Sequence, residues 1–424
     1  MRQDAVSTFW RNDRPSREKR QLSESRFMNE ASIKRQLWLY YGALACVAAA
    51  SGVYDSTFNN FLSDTFHLLP GARGNLELPR ELPGFLVVMM TGLLCMLPVT
   101  RVGAVGTSLA ALGLAGMALF GGTYAFMVVM MFIVSTGQHL LHPIGASVVL
   151  GLSTEHNRGA RLGQAAGVAT LFTALGTGAV WLLMDRAAPQ YRAAFTCAAV
   201  VFGTGGLFYF LMHIPHLHAP RQRMVVRREF SLYYLLEFLA GARKQIFLTF
   251  GPWVLIKVYG LPAPSIAGLL MISSIIGIVF KPLAGVVMDR IGERTVMILD
   301  GLVLAVVCLG YGYAQKVFPD PEWARRAACC CYIADEMLFA LGNARSVYLS
   351  RMAKSPQELN SSLAMGVSIN HIASMTIPMV AGAVWMIWGY ERLFFAAALF
   401  AVVLAMVAMR VPGRGRTLEP RTAR

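Results

Sequence analysis

The feature that most constrains this chain is a succession of long apolar stretches divided by short polar breaks. Crossing lipid takes about 20 mostly apolar residues in one helix, because every backbone N–H and C=O must then be bonded within the segment. Twelve stretches qualify, with expected limits 36–64, 84–100, 103–122, 124–151, 163–184, 192–212, 231–258, 264–288, 295–315, 324–351, 362–388 and 391–410. Of the 424 residues 56% are hydrophobic and 14% charged, against roughly a quarter charged in soluble chains. A soluble fold could not hide that much apolar surface, and so apolar a chain would collapse rather than stay disordered. The expected fold is therefore an all-α polytopic membrane protein with twelve transmembrane helices.

A formal net charge of +15 raises the question of nucleic acid, and the placement of the charge answers it. Most of the cations lie in the two tails and in alternate short loops, so the bilayer rather than nucleic acid is the expected macromolecular partner. Twelve spans put both termini on one face, and the excess of Lys and Arg on that face makes it the cytoplasmic one. The expected organisation is a basic polar tail over 1–35, a six-helix bundle over 36–212, a cytoplasmic linker over 213–230, a second bundle over 231–410 and a basic tail over 411–424. The polar start argues against a cleavable secretory signal and reads as a cytosolic tail; the expected location is a bacterial-type inner (plasma) membrane. The cysteines (Cys46, Cys95, Cys197, Cys308, Cys329, Cys330 and Cys331) lie inside apolar stretches without metal-type spacing, and read as buried thiols.

The two halves carry traces of duplication. Ser147-Val-Val-Leu150, Gly167-Val168 and Gly178-Ala-Val-Trp181 are echoed by Ser346-Val-Tyr-Leu349, Gly366-Val367 and Gly382-Ala-Val-Trp385. The first two pairs share one offset and the third a slightly longer one, as a short insertion in the later half would produce. After the eighth span comes Gly285-Val-Val-Met-Asp289-Arg290-Ile-Gly292-Glu-Arg294. This resembles the cytoplasmic signature of the major facilitator superfamily, G-x-x-x-D-R-x-G-x-R, at every defined position. The corresponding loop after the second span keeps only Arg101 and Gly103. The resemblance implies two pseudo-symmetric six-helix bundles that rock about a central site. Arg101, Gly285, Asp289, Arg290, Gly292 and Arg294 then belong to a cytoplasmic gate, in which Gly292 allows a tight turn and the arginines pair with acids of a neighbouring bundle.

Ionisable groups at membrane depth are costly and are functional candidates by default. In the superfamily the first, fourth, seventh and tenth helices line the cavity, and the unusual polar residues fall mostly there. Asp55 and Asn59 lie one turn apart in the first span, and Asp55 is either a protonation site or a structural acid. His139 and His142 stand where the family's fourth-helix motif has Arg and Gln; they are open to reading as proton carriers, packing groups or an i, i+3 metal pair. Glu237, Arg243 and Lys244 in the seventh span suggest an anion site or a salt bridge. Asp335 and Glu336 enter the tenth span, with Asn343 expected on the face of Glu336 and Arg345 expected to pair with another helix. Lys281, Asp300, Asn370 and His371 rank behind these as structural groups, and Arg80-Glu81 reads as an ion pair at the outer entry to the second span. His213-Ile-Pro-His216-Leu-His218 reads as linker rather than metal site.

The expected function is secondary active transport of a small polar solute, with anions among the candidates, coupled to H+ through Asp55, Glu237 or Asp335. Asn59, His139, His142, Arg243, Lys244, Asn343 and Arg345 are the expected solute contacts. No metal, cofactor or oligomer is required, and no phosphate loop supports direct ATP use. Multidrug efflux on the same fold is the first alternative, weakened because the fifth span lacks the family's drug-antiporter run. A polytopic enzyme or a sensor is further off, since no nucleophile or H-E-x-x-H motif is present.

Overall fold

The protein's computed structural model describes residues 30–94, 97–154, 156–214, 217 and 226–413. The basic tails, most of the linker, including His216 and His218, and Cys95 lie outside the described residues. Helices account for nearly all of the rest. They are α1 (Glu30–Phe66), α2 (Pro70–Asn75), α3 (Glu77–Leu94), α4 (Val99–Phe120), α5 (Tyr124–Gly151), α6 (Arg158–Leu183) and α7 (Tyr191–Leu211), followed by α8 (Ser231–Lys257), α9 (Ala263–Ile291), α10 (Glu293–Val317), α11 (Pro321–Leu338), α12 (Asn343–Met352), α13 (Pro356–Trp388) and α14 (Tyr390–Ala408).

With the six-residue α2 set aside and α11 and α12 taken as one jointed span, these make twelve long segments, each matching an expected stretch. Among the described residues nine helices are long and apolar enough to cross a membrane. The three other spans, α3, α8 and the α11–α12 pair, contain most of the charged side chains discussed below. Large apolar side chains such as Leu183, Val279, Val306 and Val380 face outward, as a lipid-facing surface requires.

The helices pack as two six-span bundles with the same internal plan. In the first, α4 packs on α5 and α7, and α1 packs on α6 and α7. In the second, α10 packs on α11 and α14, and α8 packs on α13 and α14. Small residues set the spacing: a Cβ on Gly137 would collide with the Gly106 carbonyl, and one on Gly301 would fall 2.7 Å from that of Ala401. Close backbone approach of this kind replaces the hydrophobic drive that lipid cannot supply.

Between the bundles, α6 packs on α9, α3 on α13, and α1 on α9. The specific contacts cluster towards one end of the molecule. Asn60 donates to the Leu261 carbonyl at 2.9 Å, a Cβ on Gly74 would collide with the Pro378 carbonyl, and one on Gly382 would meet that of Pro70 at 2.7 Å. The halves are thus sealed where α1 ends and α8 ends, while at the other end the first residues of α6 are exposed.

Two expectations are corrected. Residues 65–83, read as an outer junction, are largely helical, so the second span begins at Glu77 rather than 84 and carries Arg80 and Glu81 inside it. The tenth span is not one helix: a 3-10 stretch at Phe339–Gly342 separates α11 from α12. This interrupts the helical phase on which the alignment of Asn343 with Glu336 relied.

Candidate functional site

Buried charges come at a cost that only partners offset, and the partners here arrive from distant parts of the chain. Glu77, 0% exposed, accepts from Arg73 Nη1 at 2.6 Å and Arg80 Nε at 2.8 Å. It also accepts from Gln245 Nε2 at 2.8 Å, a donor on α8 in the other half. Arg73, almost as deeply buried, donates through Nε to Asn59 Oδ1 at 3.0 Å and lies over the Trp253 ring. Asn59, expected at the solute, is therefore occupied in holding an arginine.

One turn on, Arg80 Nη2 stands 3.4 Å from Glu81 Oε1, and Glu81 Oε2 bonds His371 Nδ1 of α13 at 3.1 Å. The ring of His139 lies 5.1 Å from that of His371 and 5.4 Å from that of His142. Gly84 makes this convergence possible, since a Cβ there would collide with His371 Cε1 and sit 2.6 Å from His139 Nε2. Ser135 fixes the group from α5: its hydroxyl donates to the Arg80 carbonyl and its own carbonyl lies 2.8 Å from His139 Nδ1.

The second network belongs to the second bundle. Arg243 Nη1 bonds Asp335 Oδ1 at 2.9 Å and Nη2 stands 3.8 Å from Asp300, with the guanidinium over Phe339 in the 3-10 stretch. Arg345 Nε bonds Glu237 Oε1 at 3.0 Å, which joins α12 to α8 as the expected pairing to another helix requires. Lys244 Nζ donates to the neutral Asn370 Oδ1 at 3.2 Å, next to Gly241, where α8 and α13 come together. Arg243, Lys244, Asp300, Phe339 and Arg345 line a cavity of about 30 Å³. Two of the three candidate cations on this side are thus matched by carboxylates, and among the described residues Lys244 is bonded only to an amide.

A third set is made of Asp55, Glu336 and Lys281. Asp55 is exposed, yet it lies eleven residues from the end of α1 at Phe66, roughly 16 Å along the helix. It is within electrostatic reach of Arg80 and of Glu336 on α11, and Glu336 is in turn within reach of Lys281 on α9. Lys281 and His142 are exposed and Glu336 is half-buried. Among the described residues Asp55, Glu336 and Lys281 have no ion pair, and their depth and mutual reach point to a watered vestibule rather than to acyl chains.

The signature loop has its own geometry. Gly292 adopts φ +84° and breaks α9 from α10, a conformation that favours glycine. Asp289 and Arg290 lie exposed at the end of α9, Gly285 is open to solvent, and Arg294 comes near Gly413. The clearest ion pair at the loop involves an undefined position of the signature: Glu293, nearly buried, binds Arg351 at the end of α12. Arg101 donates to the Phe210 carbonyl at 3.1 Å and covers that ring, so its described partner is a residue of its own half. Asn343 is exposed at the start of α12.

The structure brings together Arg243 with Asp335, and Arg345 with Glu237. It joins His139 to two residues ranked as merely structural, Glu81 and His371. It adds Arg73, Glu77 and Gln245, which sequence reasoning left out. One signal pointed to the first two: with Arg80 they fall at i, i+4 and i+7, the spacing of a charged helical face.

Comparison of the sequence with curated proteins finds no match. Among solved structures the chain resembles a mutant form of the nucleoside transporter NupG, with a TM-score of 0.71 at 16% identity over 88% of this chain and 99% of that one. It resembles a D-xylose-proton symporter at 0.67 and 17%, over 90% and 99%. It also resembles a bacterial homologue of the human lysosomal transporter Spinster, in an inward-facing and unoccupied conformation, at 0.66 and 12%, over 90% and 97%. At such identities the likeness is one of fold. The family model of the Major Facilitator Superfamily matches residues 81–344, and with the signature loop and the paired bundles this establishes that the chain is an integral membrane protein belonging to that superfamily.

Proposed function

We propose that this protein is a secondary active transporter that moves a small polar solute by alternating access, with proton movement coupled through Asp55. The observation that carries the reading is the exposed Asp55 at mid-depth in α1, which has no ion pair among the described residues and lies within electrostatic reach of Arg80 in its own bundle and of Glu336 in the other. A carboxyl in such a place can take up a proton from one side and lose it when access changes. Glu237 and Asp335, each held by an arginine, serve in this reading as charge partners that keep the second bundle rigid. Lys244 is the cation best placed to meet an anionic group, because among the described residues it makes a hydrogen bond to the neutral Asn370 and no ion pair.

The two bundles over 36–212 and 231–410 move as units about this site, and the linker over 213–230 joins them. In the orientation set by the positive-inside bias, both termini are cytoplasmic in a bacterial-type plasma membrane. The sealed end at Asn60 and Leu261 is then the outer one, and the arrangement is inward-facing. Arg101, Gly285, Asp289, Arg290, Gly292 and Arg294 act as the inner latch, together with the neighbouring pair Glu293 and Arg351.

The test is transport by the purified protein in proteoliposomes, screened against polar solutes with and without an imposed proton gradient. Asp55→Asn is expected to abolish gradient-driven accumulation while solute exchange continues. Accumulation by the variant at the unmodified protein's level would remove Asp55 from the coupling role.

A further inference from the structure

We propose that Glu81, His139 and His371 form a binding site for a divalent transition-metal cation of the zinc type, bridging the two bundles. Their ligand atoms, one carboxylate oxygen and two imidazole nitrogens, all lie within 4.8 Å of one another. Two imidazoles and one carboxylate with a fourth position left open is a recurrent donor set for such ions. The three come from α3, α5 and α13, so the ion would tie the first bundle to the second. Bonds of about 2.0–2.2 Å to a tetrahedral ion require the donors to close in by roughly an ångström, within the range of small side-chain rotations.

The surroundings of the cluster are those a metal site needs. The contact of His139 Nδ1 with the Ser135 carbonyl leaves Nε2, the nitrogen nearest Gly84, free to coordinate. Backbone carbonyls in this position orient imidazole ligands and set their tautomer. The second carboxylate oxygen of Glu81 is steadied by Arg80, which also binds Glu77. The positions of Glu81 Oε2 and His371 Nδ1, 3.1 Å apart, are those of two donors sharing a proton. A cation entering there displaces that proton to solvent, and the carboxylate keeps the charge that attracts the ion. His142, exposed and next to His139, is placed to complete the coordination from the vestibule side. Gly84 removes the one methyl group that would keep the two histidines apart.

The experiment uses the full chain without a polyhistidine tag, with His213, His216 and His218 replaced by alanine so that the linker contributes nothing. Co2+ is the probe, because its visible absorption reports low-symmetry nitrogen and oxygen coordination. About one Co2+ per chain is expected, with affinity reduced at least tenfold by His139→Ala, His371→Ala or Glu81→Gln and less by His142→Ala. His371→Cys should keep the ion and add a thiolate-to-cobalt charge-transfer band, a gain of signal that misfolding cannot imitate. Failure of the parent chain to bind Co2+ would overturn the proposal. So would uptake that is indifferent to the three substitutions, or bound Co2+ in the cysteine variant without the new band.

Discussion

The two halves handle buried charge differently. In the second bundle Arg243 pairs with Asp335 and, at 3.8 Å, with Asp300, and Arg345 pairs with Glu237, all within the bundle. In the first, Glu77 and Glu81 hold arginines of their own segment but also take Gln245 and His371 from the opposite half. One network makes a rigid body; the other makes a joint. A pair closed within a bundle keeps its partners when the halves rock, whereas bonds that cross between α3 and α8 or α13 must be exchanged if the halves separate there. The first bundle's charges are therefore the ones whose energy differs between conformations, and only differential interactions can bias a conformational equilibrium.

The largest expected effect follows from Glu77. Glu77→Ala leaves the buried Arg73 without its carboxylate and Arg80 with Glu81 at 3.4 Å, and removing one partner of a buried ion pair typically costs about 3–5 kcal/mol. It should lower thermal stability in detergent more than any other single charge substitution. If Glu77→Ala unfolds no earlier than Asp335→Ala, the contrast between the networks fails. Asp335→Ala leaves Arg243 with Asp300 at 3.8 Å, and a loss of about 1–3 kcal/mol, the cost of one poorly satisfied buried group, is expected. Arg345→Ala comes last. That pair is partly exposed, at 16% for the arginine, so screening reduces the effect to about 1 kcal/mol. The reversed pair Glu237→Arg with Arg345→Glu should recover most of it, a result that would separate ion pairing from packing.

The joint can also be examined without charge. A methyl group at Gly74 would run into the Pro378 carbonyl, so Gly74→Ala should hold α2 away from α13. Cysteines placed at the facing positions Gly71 and Met386 should then crosslink more slowly than in the parent chain. An unchanged crosslinking rate would show that the seal at this end does not depend on the close contact.

Much of the fold was legible in the sequence. The stretch expected at 264–288 is the helix Ala263–Ile291, and that at 124–151 is Tyr124–Gly151. Where the reading failed, the cause was the same in each case. Arg73, Glu77, Arg80 and Glu81 look like loop residues because their transfer into lipid is prohibitive for each alone. Their partners Asn59, Gln245 and His371 lie on other helices, two of them in the other half of the chain. The break at Phe339–Gly342 was likewise hidden, since nothing local marks a 3-10 turn whose aromatic side chain is held beneath Arg243. The pairing of Arg345 with another helix was legible, because a helical reading of the span puts Arg345 nearly opposite its own acids, and the structure pairs it with Glu237 of α8.

By itself the sequence determined that the chain lives in a bilayer as twelve helical spans with a signature loop at Gly292, because burial in lipid and backbone bonding are properties of each segment taken alone. Which charges neutralise one another, which stay open to the vestibule and which histidines converge on Gly84 were decided only by tertiary packing. The energy of a buried charge depends on groups within a few ångströms, and these are set by helices meeting across the fold, not by neighbours along the chain.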